Sequence, residues 1–212
     1  MRLIGMLDSP YVRRVAISLD ALGIPFAHEA VSVFSTFERF QAINPVVKAP
    51  TLICDDGEAI MDSSLILQFA EAALAGGRSL WPADPAEFQH DLRAVSLALA
   101  ACEKSVQIVY ERNLRPPQAQ HEPWVARVTG QLRAAYAGLE AEVARRGHAF
   151  VATRQAGITA AVAWQFTQSM LAAIVPAADH PALAALSARL EAEPAFRAYP
   201  PDGPGVQPAG GA

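Results

Sequence analysis

The stretch "RLIGMLDSPYVRRVAISLDALGIPFAHEAVSV", residues 2–33, sets the architecture. Residues 2–7 are a short apolar run that reads as a strand. From Pro10 to Leu22, apolar residues fall at Val12, Val15, Ala16, Leu19 and Leu22. That spacing of three and four predicts an amphipathic helix. Gly23 stops it, with Pro25 just beyond. "FAHEAVSV" alternates loosely and reads as a second strand. Strand, helix and strand within about 30 residues make a βαβ unit, so the two strands are expected to be parallel.

Working outward, "TFERFQAI" reads as a short helix. "PTLIC" and "EAIM" are strand-like runs separated by Asp55-Asp56-Gly57, a hairpin signal. "SSLILQFAEAAL" closes this half as a helix with Ile66, Phe69, Ala70 and Ala73 on one face. "AGGRSLWPADP" breaks the pattern with paired glycines and two prolines. Beyond it the spacing is helical. Leu92, Val95, Leu99, Cys102, Val106 and Val109 mark one long helix over about residues 85–112. Trp124, Val128, Leu132, Ala135, Leu139 and Val143 mark a second. "ITAAVAWQFTQSMLAAIV" is apolar on nearly all sides, which predicts a central buried helix. "HPALAALSARLEAEP" gives a fourth, with Leu183, Leu186 and Leu190 inward. No internal repeat is visible. The expected fold is therefore two-domain: an α/β domain over residues 1–76 with a mixed sheet, a linker over 77–86, an all-α bundle over 87–199, and a Pro/Gly-rich tail over 200–212 expected to be mobile.

Bulk properties narrow the function. Of 212 residues, 52% are hydrophobic and 18% charged, enough for sizeable cores. Net charge is -4, and the 17 Lys and Arg are scattered. No basic stripe for nucleic acid and no polybasic membrane patch is present. Arg2 is followed at once by strand-like residues, so no signal peptide is expected. No apolar run approaches the roughly 20 residues needed to span a bilayer. Cys54 and Cys102 are isolated, without metal or C-x-x-C spacing. The expectation is a reducing, cytoplasmic compartment, no disulfide and no metal.

Three short motifs in the first half carry the chemistry. In "SPY", Ser9 reads as a helix N-cap and Pro10 as the first helical residue, where a missing N–H is harmless. In "NPVVKAPTL", residues 44–52, Pro50 opens a strand, a position where a sheet tolerates proline. A cis Ala49–Pro50 bond there would turn the Ala49 N–H and C=O outward for an extended peptide; a plain strand-start proline is the alternative. Lys48 can bind a carboxylate or be simply solvated. In "MDSS", residues 61–64, Asp62 and Ser63 cap a helix, whose N-terminal N–H groups also suit a carboxylate.

Together these motifs, at this spacing and followed by a helical half, resemble the glutathione S-transferase family over nearly the whole chain. The likeness is greatest to serine-type bacterial members. It implies a thioredoxin-like first domain, glutathione as co-substrate and a cytosolic homodimer. It further implies that Ser9 donates its hydroxyl hydrogen to the glutathione sulfur and that Lys48 holds the glycine carboxylate. Ala49, presented by cis Pro50, would pair with the cysteinyl backbone. Asp62 and Ser63 would hold the γ-glutamyl amino and carboxylate groups. By fold analogy, the electrophile site would lie between the halves, lined by Leu7, Tyr11, Phe34, Val106 and Tyr110, although Tyr110 equally suits a core.

The activity implied is attack of an activated glutathione thiol on a hydrophobic electrophile. Alternatives are a non-catalytic protein of the same fold that binds a ligand or partner, or a glutathione-dependent peroxidase, isomerase or dehalogenase. Serine at position 9 argues against thiol–disulfide exchange, since it forms no mixed disulfide. One departure concerns folding. The family's sixth helix usually opens with Ser or Thr and carries Asp three residues later. Here the stretch is Thr159-Ala160-Ala161-Val162, in which Thr159 can cap but the acidic partner is missing.

Overall fold

The computed structural model describes residues 1–206. They form two compact units: residues 1–81 with 193–203, and residues 82–192 with the described residues from 204 on. In the first unit, β1 (Arg2–Ile4), α1 (Pro10–Ala21), β2 (Ala27–Glu29), α2 (Phe37–Ile43), β3 (Thr51–Ile53), β4 (Ala59–Met61) and α3 (Ser63–Phe69) succeed one another in that order. The sheet is mixed and thioredoxin-like, in the order β2-β1-β3-β4. β1 and β2 run parallel, as the βαβ unit requires, and the other pairs are antiparallel. The Asp55-Asp56-Gly57 turn closes the hairpin, with Gly57 N–H donating to Cys54 O at 3.1 Å.

The strands are shorter than the sequence implies. Residues 5–7 leave the ladder at Gly5, and residues 30–33 leave it after Glu29. Val31 nevertheless stays fully buried, packed with Ile4 and Phe40 in one cluster. On α1, Val12, Val15, Ala16 and Leu19 face inward as their spacing predicts, but Arg13 and Arg14 are buried as well. Arg13 accounts for the course of the C-terminus. Its Nε donates to Tyr199 O at 2.7 Å and its Nη2 to Phe196 O at 3.3 Å. Its guanidinium lies 5.6 Å from the centre of the Phe196 ring. Residues 193–203 thus pack with the first unit, not with the helices of the expected 87–199 domain. Residues 207–212 of the expected tail lie outside the described residues.

The inner face of α3 also differs. The helix continues as a π-helical turn, Ala70–Leu74, closed by Ala75 N–H to Ala70 O at 3.0 Å. The extra residue in that turn shifts which side chains face inward. Leu67 and Ala75 are buried and Ala73 is exposed.

The second unit is all-helical: α4 (Pro85–Leu114), α5 (Glu122–Arg146), α6 (Gln155–Leu171) and α7 (Pro181–Glu191). The short α8 (Pro194–Arg197) belongs to the first unit. Asp84 caps α4 by accepting from Glu87 N–H at 2.9 Å. Leu92 and Trp124, expected inside, are each 43% exposed. Val95, Cys102 and Val109 of the expected α4 stripe are buried, together with the small residues Ala94, Ala98, Ala101 and Ser105 beside them. α6 is buried along most of its length, and Leu183, Leu186 and Leu190 of α7 point inward, both as expected. Asp91 is fully buried and accepts from Arg146 Nη2 at 3.1 Å and from Arg154 Nε at 2.9 Å. Among the described residues, no helix is long and apolar enough to cross a membrane.

The start of α6 corrects the capping expectation. The helix begins at Gln155 with Arg154 as N-cap, so Thr159 lies inside it and its hydroxyl bonds the Gln155 side chain at 3.4 Å. The reciprocal capping positions are Arg154 and Gly157, and neither side chain can close a capping box. The backbone of Val151 occupies the space instead. A Cβ on Gly157 would fall 2.2 Å from Val151 O. Gly→Ala inside a helix ordinarily stabilises by roughly 1 kcal/mol. Here Gly157→Ala should destabilise by about 1–3 kcal/mol through overpacking. Thermal unfolding checks this: the midpoint should fall, and a rise would show that the Val151 segment gives way.

Candidate functional site

The sheet register brings the three motifs to one place. Ile4 at the end of β1 pairs with Thr51 at the start of β3, and Thr51 pairs with Met61 at the end of β4. The loop after β1, the loop before β3 and the start of α3 therefore share one end of the sheet. Gly5 tightens the arrangement. Its φ is +142°, and a Cβ there would stand 2.6 Å from Val12 Cγ2 and 3.2 Å from Ala49 Cβ.

Ser9 caps α1, and its Oγ accepts from Val12 N–H at 3.5 Å. At that length the cap is weak. The hydroxyl hydrogen finds no acceptor among the described residues, and Ser9 is half-buried. It can donate to an anion placed beside it.

The loop before β3 hangs on a buried polar network. Asn44 Oδ1 accepts from Val46 N–H at 3.0 Å, and Asn44 Nδ2 donates to Thr51 Oγ1 at 2.8 Å. Thr51 Oγ1 in turn donates to Lys48 O at 2.7 Å. Val47 is held at φ +51°, and the Ala49–Pro50 peptide is cis. Neither the N–H nor the C=O of Ala49 has a hydrogen-bond partner among the described residues.

At the third motif, Asp62 has φ 74° and ψ 124°, a conformation rare for any residue with a β-carbon. Such backbone strain costs on the order of 1–3 kcal/mol and persists where the surroundings impose it. Here β4 fixes one side. On the other, Asp62 Oδ1 caps α3 by accepting from Ser64 N–H at 2.9 Å. Asp62 Oδ2 lies 3.4 Å from Lys48 Nζ, with both side chains about half exposed. Ser63 is buried, and its Oγ accepts from Arg14 Nη1 at 3.1 Å. Lys48 and Asp62 thus form a half-exposed pair, Arg14 and Ser63 form a buried one, and the Ala49 backbone near them is unpaired among the described residues.

The remaining predicted residues are more scattered. Leu7 and Tyr11 flank Ser9 and are half-buried, and Phe34 is 37% exposed in the loop after β2. Val106 and Tyr110 lie on α4 of the helical unit. Tyr110 is 40% exposed, so it is not a core aromatic of that unit. Among the described residues, no group of three or more His, Cys, Asp or Glu side chains is placed to hold a metal ion.

Comparison with known proteins bears on this site. Residues 3–78 match the model of the glutathione S-transferase N-terminal domain. A glutathione S-transferase from Methylobacterium radiotolerans JCM 2831, solved in complex with glutathione sulfonate, is 29% identical with a TM-score of 0.81, covering 100% of this chain and 96% of its own. A glutathione transferase family member from Pseudomonas fluorescens Pf-5, with bound S-(propanoic acid)-glutathione, is 28% identical with a TM-score of 0.80, covering 99% and 100%. Residues 3–78 are a glutathione S-transferase N-terminal domain, and the whole chain is similar in fold to these two bacterial structures. Among curated relatives, the GST-like protein YibF of Escherichia coli K12 is 30% identical over 122 residues, 58% of this chain and 59% of that protein. A probable glutathione S-transferase of rice, GSTU6, is 30% identical over 91 residues, 41% of this chain and 39% of its own length. The chain thus matches about half the length of these curated relatives.

Around this site stand three supporting residues that the sequence does not single out: Arg14, Asn44 and Thr51. Adjacent arginines inside an amphipathic helix were the available signal for Arg14, since two neighbours lie about 100° apart on a 3.6-residue helix and one must approach the core. Asn44 before Pro45 was a turn signal without a partner until β3 was placed. Thr51 is fully buried and serves both Asn44 and Lys48. Thr51→Val keeps its shape but strands a donor and an acceptor. It should lower stability by about 1–3 kcal/mol for each group left unsatisfied. Urea unfolding should show a lower midpoint with an unchanged slope.

Proposed function

We propose that this chain is a glutathione transferase that activates the glutathione thiol for attack on a small hydrophobic electrophile. The observation that carries the reading is the gathering of Ser9, Lys48, Ala49, Asp62 and Ser63 at one end of the sheet, with matching chemistry. Glutathione is a γ-linked tripeptide with a thiol at its centre, two carboxylates and an ammonium. In this reading Ser9 donates to the sulfur, and the free N–H and C=O of Ala49, beside Pro50, pair with the cysteinyl backbone. Lys48 takes the glycine carboxylate, Asp62 the γ-glutamyl ammonium and Ser63 the γ-glutamyl carboxylate. The Lys48–Asp62 pair opens to admit the ligand at small cost, because exposed ion pairs contribute only about 0.2–1 kcal/mol. The glutathione-derived ligands in the two bacterial structures support the assignment.

The chemistry has a size. A free thiol with a pKa of ~8.5 is roughly 3% thiolate at pH 7. Lowering that pKa by about two units requires about 2.7 kcal/mol of differential stabilisation. A hydroxyl hydrogen bond to the anion contributes on the order of 1.5–3 kcal/mol. The gain in thiolate is about 25-fold, so placement of the electrophile supplies the rest. Leu7, Tyr11 and Phe34 of the first unit are the proposed apolar contacts for that electrophile. The proposal extends to a homodimer in the cytosol, for which the exposed apolar residues Leu65 of α3 and Phe88 and Leu92 of α4 are candidate contacts between copies.

Binding comes first. Glutathione at 100 times its dissociation constant should stabilise the protein by about 2.7 kcal/mol. A melting temperature indifferent to millimolar glutathione would count against the whole reading. Lys48→Ala should raise the glutathione KM more than it lowers kcat, because the glycine carboxylate is remote from the sulfur.

Ser9→Ala should raise the pKa of bound glutathione by about one to two units. Turnover at neutral pH should fall roughly tenfold or more, returning in part at alkaline pH, with binding much less affected. Ultraviolet titration of the bound thiolate in wild type, Ser9→Ala and Ser9→Thr decides it. Wild type and Ser9→Thr should titrate low and Ser9→Ala high. Identical curves would leave Ser9 as a helix cap only.

A further inference from the structure

Arg14 is 3% exposed, on α1, and its Nη1 reaches two hydroxyls at the start of α3: Ser63 Oγ at 3.1 Å and Ser64 Oγ at 3.2 Å. A guanidinium can only donate, and it keeps its charge at any ordinary pH. Both hydroxyl oxygens therefore accept, and both hydroxyl hydrogens are turned away from Arg14. For Ser63, itself 3% exposed, this bond is the only one among the described residues. Its hydrogen is left unspent at a buried site, where an unmet donor is costly. Asp62 does not take it: Oδ1 already holds Ser64 N–H, and Oδ2 faces Lys48.

We propose that Arg14 is a positioning residue that fixes Ser63 as an obligate donor, so that the site selects a carboxylate there over an uncharged or donor group. This rests on the reading of the site as glutathione-binding, with Ser63 at the γ-glutamyl carboxylate. A serine free to turn can donate or accept, and discriminates poorly. With Arg14 holding one lone pair and its positive charge facing the oxygen, Ser63 turns its hydrogen toward the site and favours an anionic partner over a second donor. A simple tether between α1 and α3 would have a different signature, weakening every ligand alike.

The test compares two probes by calorimetry on the full chain: glutathione, and the analogue in which the γ-glutamyl α-carboxylate is a carboxamide. Wild type should prefer glutathione by about tenfold or more, the scale of one charge-assisted hydrogen bond. Arg14→Met should lose most of that preference while binding the carboxamide nearly as well as wild type does. Ser63→Ala should lose it to the same extent, and the double variant should lose no more. If Arg14→Met binds both probes more weakly by the same factor, Arg14 is only a tether and the proposal fails. Should Arg14→Met not fold, Arg14→Lys decides. It keeps the charge but shortens the reach to Ser63, so the preference should drop several-fold, and an unchanged preference overturns the proposal. A wild type that binds neither probe removes the glutathione reading itself, an outcome distinct from glutathione binding with an unchanged ratio.

Discussion

β3 lies between β1 and β4 and runs antiparallel to both. Everything at the candidate site depends on that register. Because Ile4, Thr51 and Met61 stand side by side, the chain leaves β1, enters β3 and leaves β4 at the same edge. A slip of one residue in β3 would exchange its buried and exposed faces. It would also carry Lys48 and Ala49 away from Asp62. The pairing is held by side chains as well as by the ladder. Thr51 sits in the register position itself and also anchors the preceding loop through Asn44 and the Lys48 carbonyl. One buried threonine thus ties the sheet to the loop that carries the lysine.

A second layer of buried polar groups does comparable work on the helices. Arg13 and Arg14 leave α1 in different directions, one toward the C-terminal segment and one toward α3. In the helical unit, Asp91 joins α4 to the ends of α5 and α6 through Arg146 and Arg154. Burying charge is expensive unless it is paired and hydrogen-bonded. Short contacts to fixed partners meet most of that condition, Arg146 Nη1 being left without a partner among the described residues, and they specify which helices meet and in what register. The carboxylate of Glu87, the partner of Arg146 in this network, is held below the usual range chiefly by the hydrogen bond from that guanidinium.

Legibility in the sequence depended on how local each signal was. Local patterns were readable: the βαβ unit, the Asp-Gly hairpin, the Pro-rich break after Gly76, and the inward leucines of α7. The motifs were readable too, because Ser9, Lys48, Asp62 and Ser63 sit where turns and helix starts must be. Features resting on partners distant in sequence were lost. Leu92 and Trp124 fit an apolar stripe, but each lies near the start of its helix, where the buried face runs instead through Asp91, Ala94 and Val95 of α4 and through Val125 and Val128 of α5. The π-helical turn at Ala70 shifted a face by one residue with no local marker. Arg14 looked like an ordinary charged residue because its partners lie some 50 positions away. The opening of α6 was misplaced because Gly157 replaces a side-chain cap by close backbone packing.

The return of residues 193–203 to α1 has a consequence for the order of events during synthesis. Arg13 bonds to the carbonyl of Tyr199 across a sequence separation of 186 residues, and Tyr199 stacks on Phe26 at 5.8 Å. The first unit is therefore not complete when its own sheet and helices have left the ribosome. Its last packing element emerges more than 100 residues after the first stretch of the unit ends, and chain elongation at roughly 5–20 residues per second leaves a delay of about 6–24 seconds. During that interval the Arg13 guanidinium and the Phe26 ring lack their native cover. A nascent chain of this protein would carry an exposed cationic and aromatic patch at α1 and Phe26 until residues 193–203 arrive, and its first unit cannot mature before they do.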